Sequence, residues 1–225
     1  MKQIEIVHED EICLVINKPA GLAVQGGKGI KVSLDKILAE TRSPPPLLVH
    51  RLDKDTSGLV LVAKTREAAA LFSRLFADGK AGNKSIFKRY IAVCLGSPIT
   101  EKGSIGLDLA IRGSVKKSET GYRVLKTAYI SADEIRFSVL ELTPGTGRMH
   151  QIRRHLSLTK NPILGDDKYG DFAINRKLRK STGLKRLLLH ASGLVIPAAG
   201  NGSPIELGAP LPEYFGPFTG DSTIK

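Results

Sequence analysis

At 225 residues, 41% of them hydrophobic, the chain is long enough to bury a sizeable core and too apolar to be disordered. No apolar run approaches the ~20 residues that span a bilayer, and Met1-Lys2-Gln3-Ile4-Glu5 lacks the apolar core of a signal peptide, so a cytoplasmic location is expected. Lys and Arg outnumber Asp and Glu 34 to 22, a net charge of +12, which favours a polyanionic partner, RNA or DNA, over a merely basic enzyme.

In chain order, Glu11-Ile12-Cys13-Leu14-Val15-Ile16-Asn17 reads as a buried strand ending at Lys18-Pro19-Ala20-Gly21, and Gly26-Gly27-Lys28-Gly29 as a flexible loop. A helix is expected from about Ser33, its N-cap, to Ala39. Pro44-Pro45-Pro46 forbids helix or central strand and leads into Leu47-Leu48-Val49. After the turn residues Asp55-Thr56-Ser57-Gly58 comes the strand Leu59-Val60-Leu61-Val62-Ala63. Thr65 then caps a helix on which Ala68, Leu71, Phe72, Leu75 and Phe76 recur at i, i+3, i+4, i+7 and i+8, with Gly79 as its stop. Arg89 to Leu95, Thr120 to Thr127 and Ile135 to Leu142 are strand-like, and Met149 to Leu158 reads as a helix ended by Asn161-Pro162. Arg176 to Lys180 is a short basic helix or loop, Arg186 to Ile196 includes a strong strand, and Ile205 to Leu207 adds an edge strand.

Strands broken by single helices predict an α+β fold, with a mixed, mostly antiparallel central sheet flanked by helices and loops. No linker divides the chain, so a single catalytic domain over residues 1–225 is expected. Cys13 and Cys94 sit far apart among apolar neighbours and read as inert core thiols, with no metal knuckle. Aromatics are scarce, at 5% with no Trp, so phosphate contacts rather than base stacking should dominate any nucleic-acid binding.

His50-Arg51-Leu52-Asp53-Lys54-Asp55-Thr56-Ser57-Gly58 joins two apolar strands through a polar turn, where side chains reach a substrate. The simplest reading is that Asp53 and Asp55 cap their own backbone. A second is that Asp53-Lys54-Asp55-Thr56 resembles the Asp-x-Asp-x-Thr loop of haloacid-dehalogenase-type phosphatases, with Asp166-Asp167 as magnesium ligands. Against it, Ser57 fills the fifth position, and His50 and Arg51 interrupt the strand that should precede the loop.

The third reading is a family resemblance. His-Arg-Leu-Asp-x-x-Thr-Ser-Gly before an apolar strand resembles the signature of the RluA family of RNA pseudouridine synthases. Lys88-Arg89-Tyr90-Ile91-Ala92-Val93, Gly147-Arg148-Met149-His150-Gln151-Ile152-Arg153-Arg154-His155 and Leu189-His190-Ala191 resemble three further motifs of that family, in its order. Asn17-Lys18-Pro19-Ala20-Gly21, Ala23-Val24-Gln25-Gly26-Gly27 and Gly165-Asp166-Asp167-Lys168-Tyr169-Gly170-Asp171 extend the likeness to its RluC-like branch, over roughly residues 10–215. Many of that branch carry an S4-type module ahead of the catalytic domain. Here the first strand begins within a few residues of Met1, so a catalytic domain without that module is expected.

The resemblance implies a pseudouridine synthase fold and an isomerase of RNA uridine, with large-subunit ribosomal RNA favoured over transfer RNA. It also implies a monomer working without cofactor, metal or membrane. A non-catalytic RNA-binding or ribosome-assembly protein would not need its site residues together. By resemblance Asp53 is the catalytic carboxylate. It attacks C1′, adds to the uracil ring or removes a C2′ proton, alternatives that stay open. A carboxylate of ordinary acidity, titrating near ~4, needs no separate base to activate it. Tyr90 by resemblance stacks on the uracil. Arg153, directly after Ile152, matches the arginine of related synthases, with Arg148 as the competing candidate. At about 100° per residue, Met149, Ile152 and Leu156 share one helical face and Arg153 borders it. Arg51 would enter the space a flipped uridine leaves. His50, Lys88, Arg148 and Leu189 complete the expected substrate or RNA contacts, and Arg89, Arg154, Arg176, Lys177, Arg179 and Lys180 are candidate phosphate contacts. Met149 stands where the family usually has Thr or Ser, which removes a hydroxyl there.

Overall fold

The apolar runs of the first half of the sequence become strands buried on both faces, and the later, longer ones pair as an antiparallel ladder. The computed structural model describes residues 4–77, 85–111, 113–130, 134–198 and 203–220. The chain begins with strands β1 (Glu5–Glu9) and β2 (Cys13–Lys18), helix α1 (Leu34–Thr41), the short strand β3 (Leu47–Leu48), β4 (Ser57–Ala63) and helix α2 (Arg66–Ala77). Strands β5 (Phe87–Leu95), β6 (Lys102–Gly106), β7 (Leu109–Ile111), β8 (Ser114–Lys116), β9 (Glu119–Ile130) and β10 (Ile135–Pro144) follow. Helices α3 (Gln151–Leu158) and α4 (Phe172–Ser181), strands β11 (Leu189–Ile196) and β12 (Ile205–Gly208) and the short helix α5 (Gly216–Thr219) complete it. The expected α+β class is what forms, with antiparallel ladders and helices between them. Among the described residues no helix is long and apolar enough to cross a membrane. Contacts divide the chain into two compact units, Met1–Lys88 with Ala191–Ala209, and Arg89–His190 with Pro210–Lys225.

In the first unit β2 pairs antiparallel with β1 and β4, β3 adds two residues to β4, and β12 pairs with β11. All seven residues of β4 are buried, the reason its sequence shows a continuous apolar run instead of alternation. One face is closed by α2. Its Ala68 and Phe72 join Cys13, Val15, Leu59, Leu61 and Leu194 in a hydrophobic cluster, and Leu75 and Phe76 pack against it. Full burial of a side chain the size of Phe72 contributes roughly 2–3 kcal/mol. Thr65 caps this helix as expected, its Oγ1 accepting the Ala68 amide at 3.1 Å. The expected stop, Gly79, lies outside the described residues. Ser33 has N-cap backbone geometry at α1, but its hydroxyl donates to Asp35 rather than capping. Asp35 in turn accepts the Gly26 amide at 3.0 and 3.2 Å, fastening the glycine loop to the helix.

In the second unit the order β5-β10-β9-β6 is antiparallel throughout, with a register shift in β10 between Val139 and Leu140. Strands β7 and β8 form a separate antiparallel pair. Helix α3 packs on β9 and β10 but begins at Gln151, two residues later than the sequence suggests. The cause is the Gln151 side chain. Its Nε2 donates to the Glu119 carbonyl (2.9 Å) and Thr120 Oγ1 (3.1 Å), while its Oε1 accepts from Thr146 Oγ1 (2.5 Å) and the Arg148 amide (3.1 Å). The chain thus enters the helix through His150 in the left-handed region, φ 53°. Met149 is left 53% exposed and does not share the buried face of Ile152 and Leu156. The basic stretch at Arg176 to Lys180 is helical, inside α4, where Asp171 accepts the Ala173 and Ile174 amides, both at 3.0 Å. Cys13 and Cys94 are both buried and free, and burial pushes each thiol up to about 12, the unreactive state their neighbours suggested.

Candidate active site

In the first unit, Asp53 begins a turn closed by the Thr56 amide on its carbonyl at 3.2 Å. The turn precedes β4, whose Gly58 lies opposite Lys18 at the end of β2. Lys18 is completely buried. Its ammonium donates to the carbonyls of Pro19 (3.1 Å), Leu22 (2.8 Å) and Lys54 (3.1 Å). The Lys54 carbonyl also accepts the Gly21 amide at 2.8 Å. Three acceptors require three N–H donors, which only the charged amine has. Burial pulls the Lys18 amine down to about 8, and the carboxylates of Asp55 and Asp53 oppose that pull. A buried cation therefore fastens the carboxylate turn through its backbone. In the sequence, Lys18 stands out only within the Asn17-Lys18-Pro19-Ala20-Gly21 motif. Its signal was a lysine at the end of an apolar strand, a position normally read as solvated.

Gly58 is required by this arrangement. It has φ +108°, and a Cβ there would stand 2.2 Å from the Ala191 carbonyl oxygen. Thr56 and Ser57 are buried, while Arg51 is exposed beside the turn.

His50 is held by internal partners of the first unit. Its Nε2 accepts the Leu61 amide at 2.9 Å, and its ring lies 4.3 Å from that of Phe76. Burial, helped by the Lys88 charge, pushes the imidazole down to about 3, so it is neutral and serves as a prop between β4 and α2. The Lys88 ammonium lies 5.6 Å from the same Phe76 ring, and burial lowers it too.

In the second unit, Arg153 is buried on α3 and forks onto Asp166. Nε donates to Oδ2 at 2.8 Å and Nη2 to Oδ1 at 2.7 Å, with Asp167 at 3.1 Å from Nη2. Asp166 Oδ1 also accepts the Lys168 and Tyr169 amides at 2.9 Å each. Burial raises the Asp166 carboxyl, but the Arg153 hydrogen bond and the two amides outweigh it, leaving it below the ordinary value. With both oxygens so engaged, Asp166 cannot serve as the magnesium ligand of the phosphatase reading. Gly170 permits the turn, since a Cβ there would lie 2.3 Å from the Asp166 carbonyl oxygen. Tyr169 gathers the basic side chains around it. Its hydroxyl bonds His150 Nδ1 at 3.0 Å, and its ring centroid lies 5.3 Å from the Arg153 guanidinium carbon and 5.5 Å from the Lys168 ammonium.

Tyr90 stands in β5 opposite Leu142, 9% exposed, and Leu189 in β11 is buried. Arg148 is exposed, its amide held by Gln151. His155 is structural, bonding Ser118 at 2.9 Å, Thr120 at 3.0 Å and the Leu107 carbonyl at 3.1 Å. Arg154 donates to the Ala110 carbonyl at 3.1 Å, and Arg89 lies 3.8 Å from Glu141. The first unit thus brings Asp53 together with Lys18, and His50 with Lys88. The second brings Arg153 together with Asp166, Tyr169 and His150.

Comparison with known proteins gives a consistent result. The RNA pseudouridylate synthase family matches residues 12–158. The "Ribosomal large subunit pseudouridine synthase C" of Rickettsia bellii is 37% identical over 224 residues, covering 93% of this chain and 69% of that one. The protein of the same name from Escherichia coli K12 is 36% identical over 220 residues, covering 92% and 66%. Among solved structures, "Human RNA Pseudouridylate Synthase Domain Containing 4" superposes with a TM-score of 0.75 at 28% identity, covering 93% of this chain and 89% of its own. "Human RNA Pseudouridylate Synthase Domain Containing 1" gives 0.74 at 26% identity, covering 94% and 84%.

Proposed function

The chain belongs to the RNA pseudouridylate synthase family, and we propose that it isomerises uridines of large-subunit ribosomal RNA with Asp53 as the catalytic carboxylate. What supports Asp53 is the buried Lys18 ammonium fastened to its turn, an arrangement a surface Asx turn has no need of. The choice of ribosomal RNA rests on relatives of that name matching nearly the whole chain.

The reaction breaks the C1′–N1 bond, joins C1′ to C5, returns a proton to N1 and removes one from C5, so it is redox-neutral. The target uridine leaves its stack at a cost of a few kcal/mol. In this reading Arg51, exposed beside the turn, enters the vacated space. Tyr90 stacks on the uracil with Leu189 beside it, and Arg153 faces the charge that develops on the reacting nucleotide. Arg148 and Lys88 contact the RNA backbone. The Asp166 fork fixes the guanidinium so that little ordering remains for the moment of reaction. The protein works in the cytoplasm as a monomer, without a metal.

Unmodified transcripts of large-subunit ribosomal RNA and of transfer RNA, incubated with the protein and mapped through base-selective chemical adducts, test this. Pseudouridine is expected in the ribosomal transcript. Its appearance in transfer RNA alone would move the substrate, and its absence from both would overturn the activity.

A further inference from the structure

Helix α4 presents one stripe of side chains to a cleft beside the Asp166-Asp167 turn. Phe172, Arg176 and Arg179 stand at i, i+4 and i+7, on one helical face. With Lys185 and the Asp166-Asp167 turn they line a cleft of about 320 Å³, the size range of small-ligand pockets. Phe172 is 60% exposed, in a chain with only seven Phe and no Trp. Exposing an aromatic costs apolar hydration that a purely structural residue at a helix start would avoid. Among the described residues, neither Arg176, Arg179 nor Lys185 is joined to a carboxylate by an ion pair. Asp171, the nearest acid on the helix, is occupied with the Ala173 and Ile174 amides. A flat apolar face and three cations about one concavity match the two chemically distinct ends of a nucleotide, its base and its phosphate.

We propose that this cleft is an RNA subsite holding one unpaired nucleotide other than the target uridine, its base against Phe172 and its phosphate among Arg176, Arg179 and Lys185. The inference rests on the RNA reading given under the proposed function. Its floor is the Asp166-Asp167 turn that grips Arg153, and Asn175, also lining the cleft, ties that turn to α4 by donating to the Asp166 carbonyl at 3.0 Å. The subsite thus joins the holder of Arg153 to the RNA strand.

The test is filter binding of an unmodified large-subunit ribosomal RNA transcript across a potassium chloride series. It compares wild type, Phe172→Ala, the triple Arg176→Gln/Arg179→Gln/Lys185→Gln, and a control triple of equal charge loss on exposed residues of the first unit, Lys31→Gln/Arg66→Gln/Arg74→Gln. Phe172→Ala is expected to weaken binding about tenfold. The cleft triple should flatten the slope of log affinity against log salt by about 0.7, the share of one single-strand phosphate, and weaken binding more than the control triple does. The proposal fails if Phe172→Ala binds as wild type, or if the two triples are indistinguishable. Binding is read without turnover. A wild-type protein that binds but forms no pseudouridine would therefore sink the proposed activity, while the variants still decide the subsite.

Discussion

Replacing Asp166 with Asn tests whether the Arg153 fork organises the second unit. The substitution keeps the shape and removes the charge. Oδ1 accepts three donors, the Arg153 Nη2 and the amides of Lys168 and Tyr169, so the Asn carbonyl oxygen takes that position. The Asn amide nitrogen then replaces Oδ2, facing the Arg153 Nε–H at 2.8 Å, donor against donor. The Arg153 side chain is 5% exposed and Asp166 is fully buried, so water cannot take over. Breaking a buried pair by removing one partner costs about 3–5 kcal/mol. For a chain of this length that is a fall in melting temperature of roughly 6–20 °C. The assay is urea unfolding at pH 7 with thermal melting alongside. Asp166 is more acidic folded than unfolded, so the stability it contributes is complete above its unfolded value near ~4 and is lost as pH falls through the folded value. Asp166→Asn should lack that acid-side loss. Removing both charges, with Arg153→Met and Asp166→Asn, should recover most of the stability, because the Asn carbonyl oxygen still accepts the Lys168 and Tyr169 amides and no guanidinium faces its amide nitrogen. An Asp166→Asn protein within about 1 kcal/mol of wild type would mean that the fork is worth no more than an exposed pair and does not organise the second unit.

Lys18→Met takes the ammonium donor from the Pro19, Leu22 and Lys54 carbonyls, leaving only Lys54 its bond from the Gly21 amide, and should cost about 2–4 kcal/mol while lowering kcat, because the Asp53 turn loses its fastening. Lys18 titrates near 8 folded and near ~10.4 unfolded, so the unfolded chain holds the extra proton between those values; wild-type stability should therefore gain on Lys18→Met as pH rises from 8 to 10. His50, at about 3 folded against 6.5 unfolded, supports stability that is complete above 6.5 and drains away as pH falls toward 3; His50→Gln should flatten that limb of the urea-midpoint profile. Gly58→Ala places a Cβ 2.2 Å from the Ala191 carbonyl oxygen at φ +108°, and should cost on the order of 3 kcal/mol or more, read as a lowered melting temperature.

Much of this architecture is written in local pattern. The continuous run from Leu59 to Ala63 announces a strand covered on both faces, and the spacing of Ala68, Phe72 and Phe76 announces the helix that covers it. The Asp53 turn is legible because two such strands bracket it. What escapes is side-chain chemistry reaching across the chain. The start of α3 is decided by Gln151 bonding to Glu119 and Thr120, about thirty residues back, which no helical periodicity through Met149 reveals. The Arg153 partner in the second unit arrives from a turn thirteen residues further on, in an acidic pair that equally suits metal ligation by sequence alone. The burial of Lys18 and the neutrality of His50 follow from packing around them, and their sequence neighbours give only the motif.

In the proposed mechanism Asp53 performs the chemistry while RNA binding resides elsewhere. The most direct measurement is single-turnover pseudouridine formation by Asp53→Asn on an unmodified large-subunit ribosomal RNA transcript, with RNA affinity measured on the same preparation. The variant is expected to bind RNA as tightly as wild type and to form no pseudouridine. A variant that forms pseudouridine at the wild-type rate would contradict it.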